Sequence, residues 1–195
     1  MGSYNIKSIR KKVLKTHGFD RASRNKVNQH LAKARNEMLR EFDHHPVTKE
    51  ISQGVTASNL SKTLSGYGNL FTFIGFDNNS DPIQKVRDLL TQFPRIKSKA
   101  FKGDKCYYTI SVPKGEDFRI VASMPWESGR NWVEGIESGI SGFGYYMADL
   151  FGNEDKSRSG KAIQTENKIR SGSYRPTPYI SMIVNKMILS ITEGK

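Results

Sequence analysis

Cysteine is nearly missing from this chain: Cys106 is the only one among 195 residues. One thiol excludes an internal disulfide framework and any zinc site built on several cysteines. Long apolar runs are missing as well. None approaches the roughly 20 residues that a membrane span needs, and the first residues carry no apolar core of the signal-peptide kind. The expectation is a protein that works, or is assembled, inside a cell. Hydrophobic residues make up only 36%, and the mean hydropathy is −0.59. That is polar for a free-standing domain, so part of the surface is expected to be finished by partners or to extend from the body. A length of 195 residues still suits one domain with a real core.

Acidic residues are scarcest where basic ones gather. Residues 1–40 hold eleven Lys/Arg against Asp20 and Glu37, a surplus of nine. Residues 156–195 hold eight against Glu166 and Glu193, a surplus of six, and the overall +12 leaves the middle at −3. Charge piled at both ends suggests a globular body with basic extensions that meet nucleic acid, a membrane surface or an acidic protein. The plainer reading is a helix with a solvated basic face.

Hydrophobic spacing gives a coarse map. Ile6, Ile9 and Val13, set among Lys7, Arg10, Lys11, Lys12 and Lys15, predict a short basic amphipathic helix that His17-Gly18 ends. Asp20 can cap a long helix over about 20–43, whose stripe is Val27, Leu31, Ala34, Met38 and Phe42. His45-Pro46 stops it. Residues 46–69 read as an irregular excursion, and 70–76 as a strand apolar on both faces. Asp81-Pro82 opens a helix with Ile83, Val86, Leu89, Leu90 and Phe93 on one face. Alternation over 105–112 and again over 118–124, around a turn at 113–117, predicts a β-hairpin. The stripe from Trp132 to Leu150 has helical period, with Gly135, Gly139, Gly142 and Gly144 allowing close approach. Residues 152–178 are almost without apolar side chains, and Tyr179–Ile191 close the chain as an amphipathic helix.

The map is α+β: a small, mostly antiparallel sheet covered by amphipathic helices. A basic N-terminal arm over 1–18 precedes a single domain over 19–195, and a long polar loop, 152–178, precedes the C-terminal helix.

Catalytic chemistry finds little footing. No metal site is expected at His17, His30, His44 and His45: the adjacent pair sits at a helix end, where neighbouring side chains splay apart instead of converging. Cys106 falls on the inward face of a strand, where a small hydrophobe is expected. A metal-dependent nuclease needs convergent carboxylates and a lysine at strand ends, whereas Glu116 and Asp117 fall in a turn with no acidic-x-Lys pattern after them. Gly66-Tyr67-Gly68 and Gly142-Phe143-Gly144 lack the lysine of a phosphate loop. Basic residues beside aromatics over 95–108 and 171–179 fit stacking platforms for nucleic acid, or sheet tyrosines with solvated neighbours. No catalytic residue, metal site or cofactor is expected.

Four stretches together carry a resemblance: HPVTKEI from His45, GNLFTFIGF from Gly68, GRNWVEGI from Gly129 and RSGSYRPTPY from Arg170. They resemble virion structural proteins of tailed bacteriophages, most closely the small neck or tail-completion proteins between head and tail. The resemblance implies a non-enzymatic homo-oligomeric ring around the DNA channel, built in the host cytoplasm and kept in the virion. Implied neighbours are virion proteins on the portal and tail sides and packaged DNA in nonspecific contact, with no membrane. On this expectation Lys7, Arg10, Lys11, Lys12 and Lys15 face an anionic partner or DNA. Arg158, Lys161, Lys168, Arg170 and Arg175 line a subunit interface. The rival expectation is a nucleic-acid-binding module that uses its basic N-terminal arm.

Overall fold

A computed structural model describes residues 6–64, 68–125, 131–138, 146–148, 162–164 and 176–193. The described elements are α1 (Ile6–Leu14), α2 (His17–His44), α3 (Pro46–Ser52), a 3-10 turn (Gly54–Thr56), α4 (Leu70–Ile74) and α5 (Pro82–Thr91). They continue with β1 (Arg95–Lys102), β2 (Lys105–Ser111), α6 (Gly115–Val121), α7 (Trp132–Ser138), β3 (Tyr146–Ala148), β4 (Ala162–Gln164) and α8 (Ile180–Glu193). The chain is thus α+β, with helices around small antiparallel pairings: β1 with β2, and β3 with β4.

The dry core is helical. Leu31, Ala34, Met38 and Phe42 are buried on the second half of α2, and Val27, the first member of the stripe, is half-buried. Tyr179 is the hub. Its ring stacks on Phe42 at 6.0 Å and meets His45 at 4.8 Å and Trp132 at 6.4 Å. The Tyr179 hydroxyl shares a 2.7 Å hydrogen bond with that of Thr48, satisfying both polar tips inside the core. Burial pushes the phenol far above its ordinary pKa, so it stays neutral. Trp132 then meets Phe76 edge-on, which joins α7 and α8 to the α4 region.

Four expected elements come out differently. Residues 70–76 are not a strand: Leu70–Ile74 form a helix, capped by the Asn69 side chain accepting from Thr72 N–H and ended by Gly75 at φ 82°. Apolar residues on every side of this short helix reflect burial all round, which a strand pattern mimics. The excursion after Pro46 begins with α3. The buried Glu50 carboxylate then gathers the chain beyond that helix, accepting from the N–H groups of Ser61 and Leu70, each at 2.7 Å. Residues 115–121 are a helix in place of the second hairpin strand. Phe118 and Ala122, one turn apart, are buried, while Ile120 between them is 84% exposed. Strand β2 pairs instead with β1. Finally, helix α7 is described only to Ser138, and 146–148, expected as helix, is a strand whose partner 162–164 lies inside the expected polar loop. Gly139, Gly142, Gly144 and most of 152–178 lie outside the described residues.

Smaller shifts concern caps. The cap of α2 is Thr16, which accepts from Phe19 N–H, so Asp20 sits in the first turn and is free for another partner. Asp81 caps α5 as expected, accepting from Gln84 N–H at 2.9 Å.

Candidate functional site

Helix α2 spans both halves of the molecule. At 1.5 Å per residue its 28 residues run about 42 Å, and its buried residues begin only at Leu31. The turns before Leu31 carry α1 and the β1–β2 ribbon instead of the core. Tyr108 of β2 shares a 2.7 Å hydrogen bond with Ser23, and Lys99 of β1 donates to Asp20. Arg35 fixes the ribbon's start, donating to the carbonyls of Phe93 and Pro94 at 2.9 and 2.8 Å.

Register decides what each face of the ribbon shows. Lys99 opposes Tyr108 and Phe101 opposes Cys106, so these share the face toward α2, on which Cys106 is half-buried while Phe101, next to the turn, stays 49% exposed. Ala100 opposes Tyr107 and Lys102 opposes Lys105, and this outer face leaves Tyr107 48% exposed. Gly103, at φ 67°, allows the two-residue turn between the strands.

Charge is concentrated on this limb. Residues 6–26 and 95–105 hold thirteen Lys/Arg against only Asp20 and Asp104, in a chain of net charge +12. Both acids are already engaged, Asp104 with Arg10 at 3.4 Å and Asp20 with Lys99. The hydrogen bond from Lys99 lowers the Asp20 pKa, and the same bond raises that of Lys99. Lys99 also lies 4.7 Å from the Phe101 ring centroid and 5.7 Å from that of Tyr108. It is an internal strut of the limb, not a free cation.

The five arm residues expected to face an anionic partner, Lys7, Arg10, Lys11, Lys12 and Lys15, lie exposed on or just after α1. Arg10 reaches the ribbon turn, and Lys11, Lys12 and Lys15 border a shallow cleft with Phe101 and Gly103. The apolar stripe of α1 stays in solvent, with Ile6 at 65% exposure. Arg158, Lys161, Lys168, Arg170 and Arg175 lie outside the described residues. Sequence reasoning did not join Arg95, Lys97, Lys102 and Lys105 to the arm. The available signal was Lys102-Gly103-Asp104-Lys105, a glycine-first two-residue turn between two runs of ribbon length.

Among the described residues, no three His, Cys, Asp or Glu side chains converge as a metal site, and no helix is long and apolar enough to cross a membrane. A groove between α6, α7 and α8 has Phe118, Val133 and Val184 in its wall and both signs of charge at its rim, from Glu116, Glu134 and Arg119. Set against known proteins, the chain matches no family model, no curated protein and no solved structure.

Proposed function

We propose that this chain is a non-enzymatic structural component of a tailed-phage particle, a subunit of a homo-oligomeric ring at the head–tail junction whose cationic limb faces the DNA channel. The observation that carries the reading is the limb itself. Thirteen cations stand on α1, the first turns of α2 and the ribbon, and the two carboxylates among them are already held by Arg10 and Lys99. A surface of one sign, offset from a dry helical core, suits a polyanion passing alongside. The sequence resemblance supplies the phage context. Native mass spectrometry and electron microscopy of the purified full chain test it, with closed rings of one copy number as the expected result. A monomer at every concentration, alone and with DNA, would overturn the ring.

A second reading, a nucleic-acid-binding module that works without a ring, is favoured by one observation: Tyr107 stands exposed on the outer ribbon face near Lys102 and Lys105. Tight, salt-sensitive DNA binding by a monomer would select it.

A further inference from the structure

A ribbon of only two strands is marginal by itself in water, and here its inner face is held to α2 through Tyr108 and Lys99, which bond to Ser23 and Asp20. Its outer face presents Ser98 and Thr109, Ala100 and Tyr107, then Lys102 and Lys105, as successive cross-strand pairs, with Lys97 at an irregularity in the register. Among the described residues no helix covers it: Thr109, Tyr107, Lys105, Ser98, Ala100 and Lys102 are all exposed. The face is therefore narrow, polar and cationic toward its tip.

We propose that this outer face is a duplex-binding surface that enters the major groove of double-stranded DNA, with Tyr107 at its centre and Lys102 and Lys105 at its tip. The proposal rests on the reading that the cationic limb faces nucleic acid, and it names the form and the groove. Width is the first argument. Two strands lie about 4.8 Å apart, and the major groove, about 12 Å wide, admits a two-stranded ribbon without the DNA deformation that the minor groove, about 6 Å wide, would need. Chemistry is the second. Short hydroxyls such as Ser98 and Thr109 hydrogen-bond to base edges of either polarity, and lysines pair with guanine O6 and N7 or with phosphate. Placement is the third. Lys11, Lys12 and Lys15 of the α1 segment border Phe101 and Gly103 behind the tip, on the side away from Tyr107, where they would meet the phosphates that flank the groove and not its floor.

Single-stranded nucleic acid fits less well. Stacking platforms use several ring faces in succession, and this face offers Tyr107 alone, because the register turns Phe101 to the other side. Double-stranded RNA fits less well again, since its major groove is too deep and narrow to admit side chains.

The test uses the full chain and a labelled duplex of about 24 base pairs, titrated by fluorescence anisotropy over a series of salt concentrations, with circular dichroism to check folding. Lys102→Ala with Lys105→Ala is expected to weaken binding about tenfold and to lower the log–log salt slope by about two. Tyr107→Ala is expected to weaken binding several-fold with the slope unchanged. Lys49→Ala with Lys85→Ala, which removes the same charge from the body, should change affinity less than twofold. Bound protein should shield guanine N7, an atom of the major groove, from methylation by dimethyl sulfate. Unprotected N7, a single strand bound more tightly than the duplex, or ribbon variants that bind like the parent would each overturn the proposal. Rings that form normally from a protein leaving N7 unprotected would sink the groove and keep the ring. A protein that shields N7 but never closes into a ring would keep the groove and sink the ring.

Discussion

The helical body and the cationic limb are built on one helix but obey different rules. From Leu31 onward α2 buries a continuous stripe, and Phe42, Tyr179 and Trp132 interlock behind it. Before Leu31 the same helix has no buried residue, and its contacts to the ribbon are a hydrogen bond between hydroxyls, an ion pair and a lysine over the Phe19 ring. Stability should therefore reside in the body, and affinity for an anion in the limb. Changes in the body should cost kilocalories without touching charge, and changes in the limb the reverse.

The largest effect is expected at the hub. Phe42 is fully buried, and Phe42→Ala should lower unfolding free energy by ~3–5 kcal/mol, read by urea denaturation. A loss below about 1 kcal/mol would show that the stripe on α2 is no core and would erase the contrast. Next comes Glu50, whose carboxylate collects the N–H groups of Ser61 and Leu70. Glu50→Ala strands both donors and should cost about 2–4 kcal/mol, while Glu50→Gln, which keeps one acceptor, should cost less.

A smaller, conditional effect belongs to His45. Its Nδ1 accepts from Val47 N–H at the start of α3, and its ring lies against Tyr179. Burial lowers its pKa from the ordinary 6.5, and a hydrogen bond to the Pro178 backbone opposes that shift. The unfolded chain therefore takes up the proton first. His45 contributes its full stability above about pH 6.5 and loses it progressively as pH falls toward the folded pKa. Urea midpoints measured between pH 7.5 and 5 should fall, and His45→Asn, which keeps a capping oxygen but cannot titrate, should flatten that part of the curve. An unchanged slope in the variant would assign the acid sensitivity elsewhere.

The body and limb were not equally legible in the sequence. Helices α2, α5 and α8 were readable because each keeps one apolar face over ten or more residues. Helix α4 has five residues and is buried on nearly all sides, so no period survives to separate helix from strand. For α6, the spacing of Phe118, Ala122 and Met124 suits either structure, and only the exposure of Ile120 decides it. Strand β1 hid because lysines hold its inward and outward positions alike: Lys99 inside as a strut, Lys102 outside as a solvated cation. The positive charge of α1 was plain in the sequence. That its charge continues onto the ribbon was not, because residues some 80 to 90 positions apart meet only in the folded chain, through contacts such as Ser23–Tyr108, Asp20–Lys99 and Arg10–Asp104.

The smallest expected effect probes how α1 is held. It buries no residue, and its ion pair to the ribbon, Arg10 with Asp104, spans 3.4 Å with side chains 64% and 35% exposed. Water screens such a pair, and holding two flexible side chains together costs entropy, so its coupling should be about 0.2–1 kcal/mol. A double-mutant cycle of Arg10→Ala and Asp104→Ala, read by urea unfolding, should give a value in that range at low salt. Near 1 M salt, where the screening length shrinks to about 3 Å, the coupling should approach zero. The two single changes should also move DNA affinity in opposite directions, since one removes a cation and the other a carboxylate from the same surface. A coupling well above 1 kcal/mol that persists in high salt would mean that α1 is locked to the ribbon as part of the body. The boundary between body and limb would then have to be moved to the other side of α1.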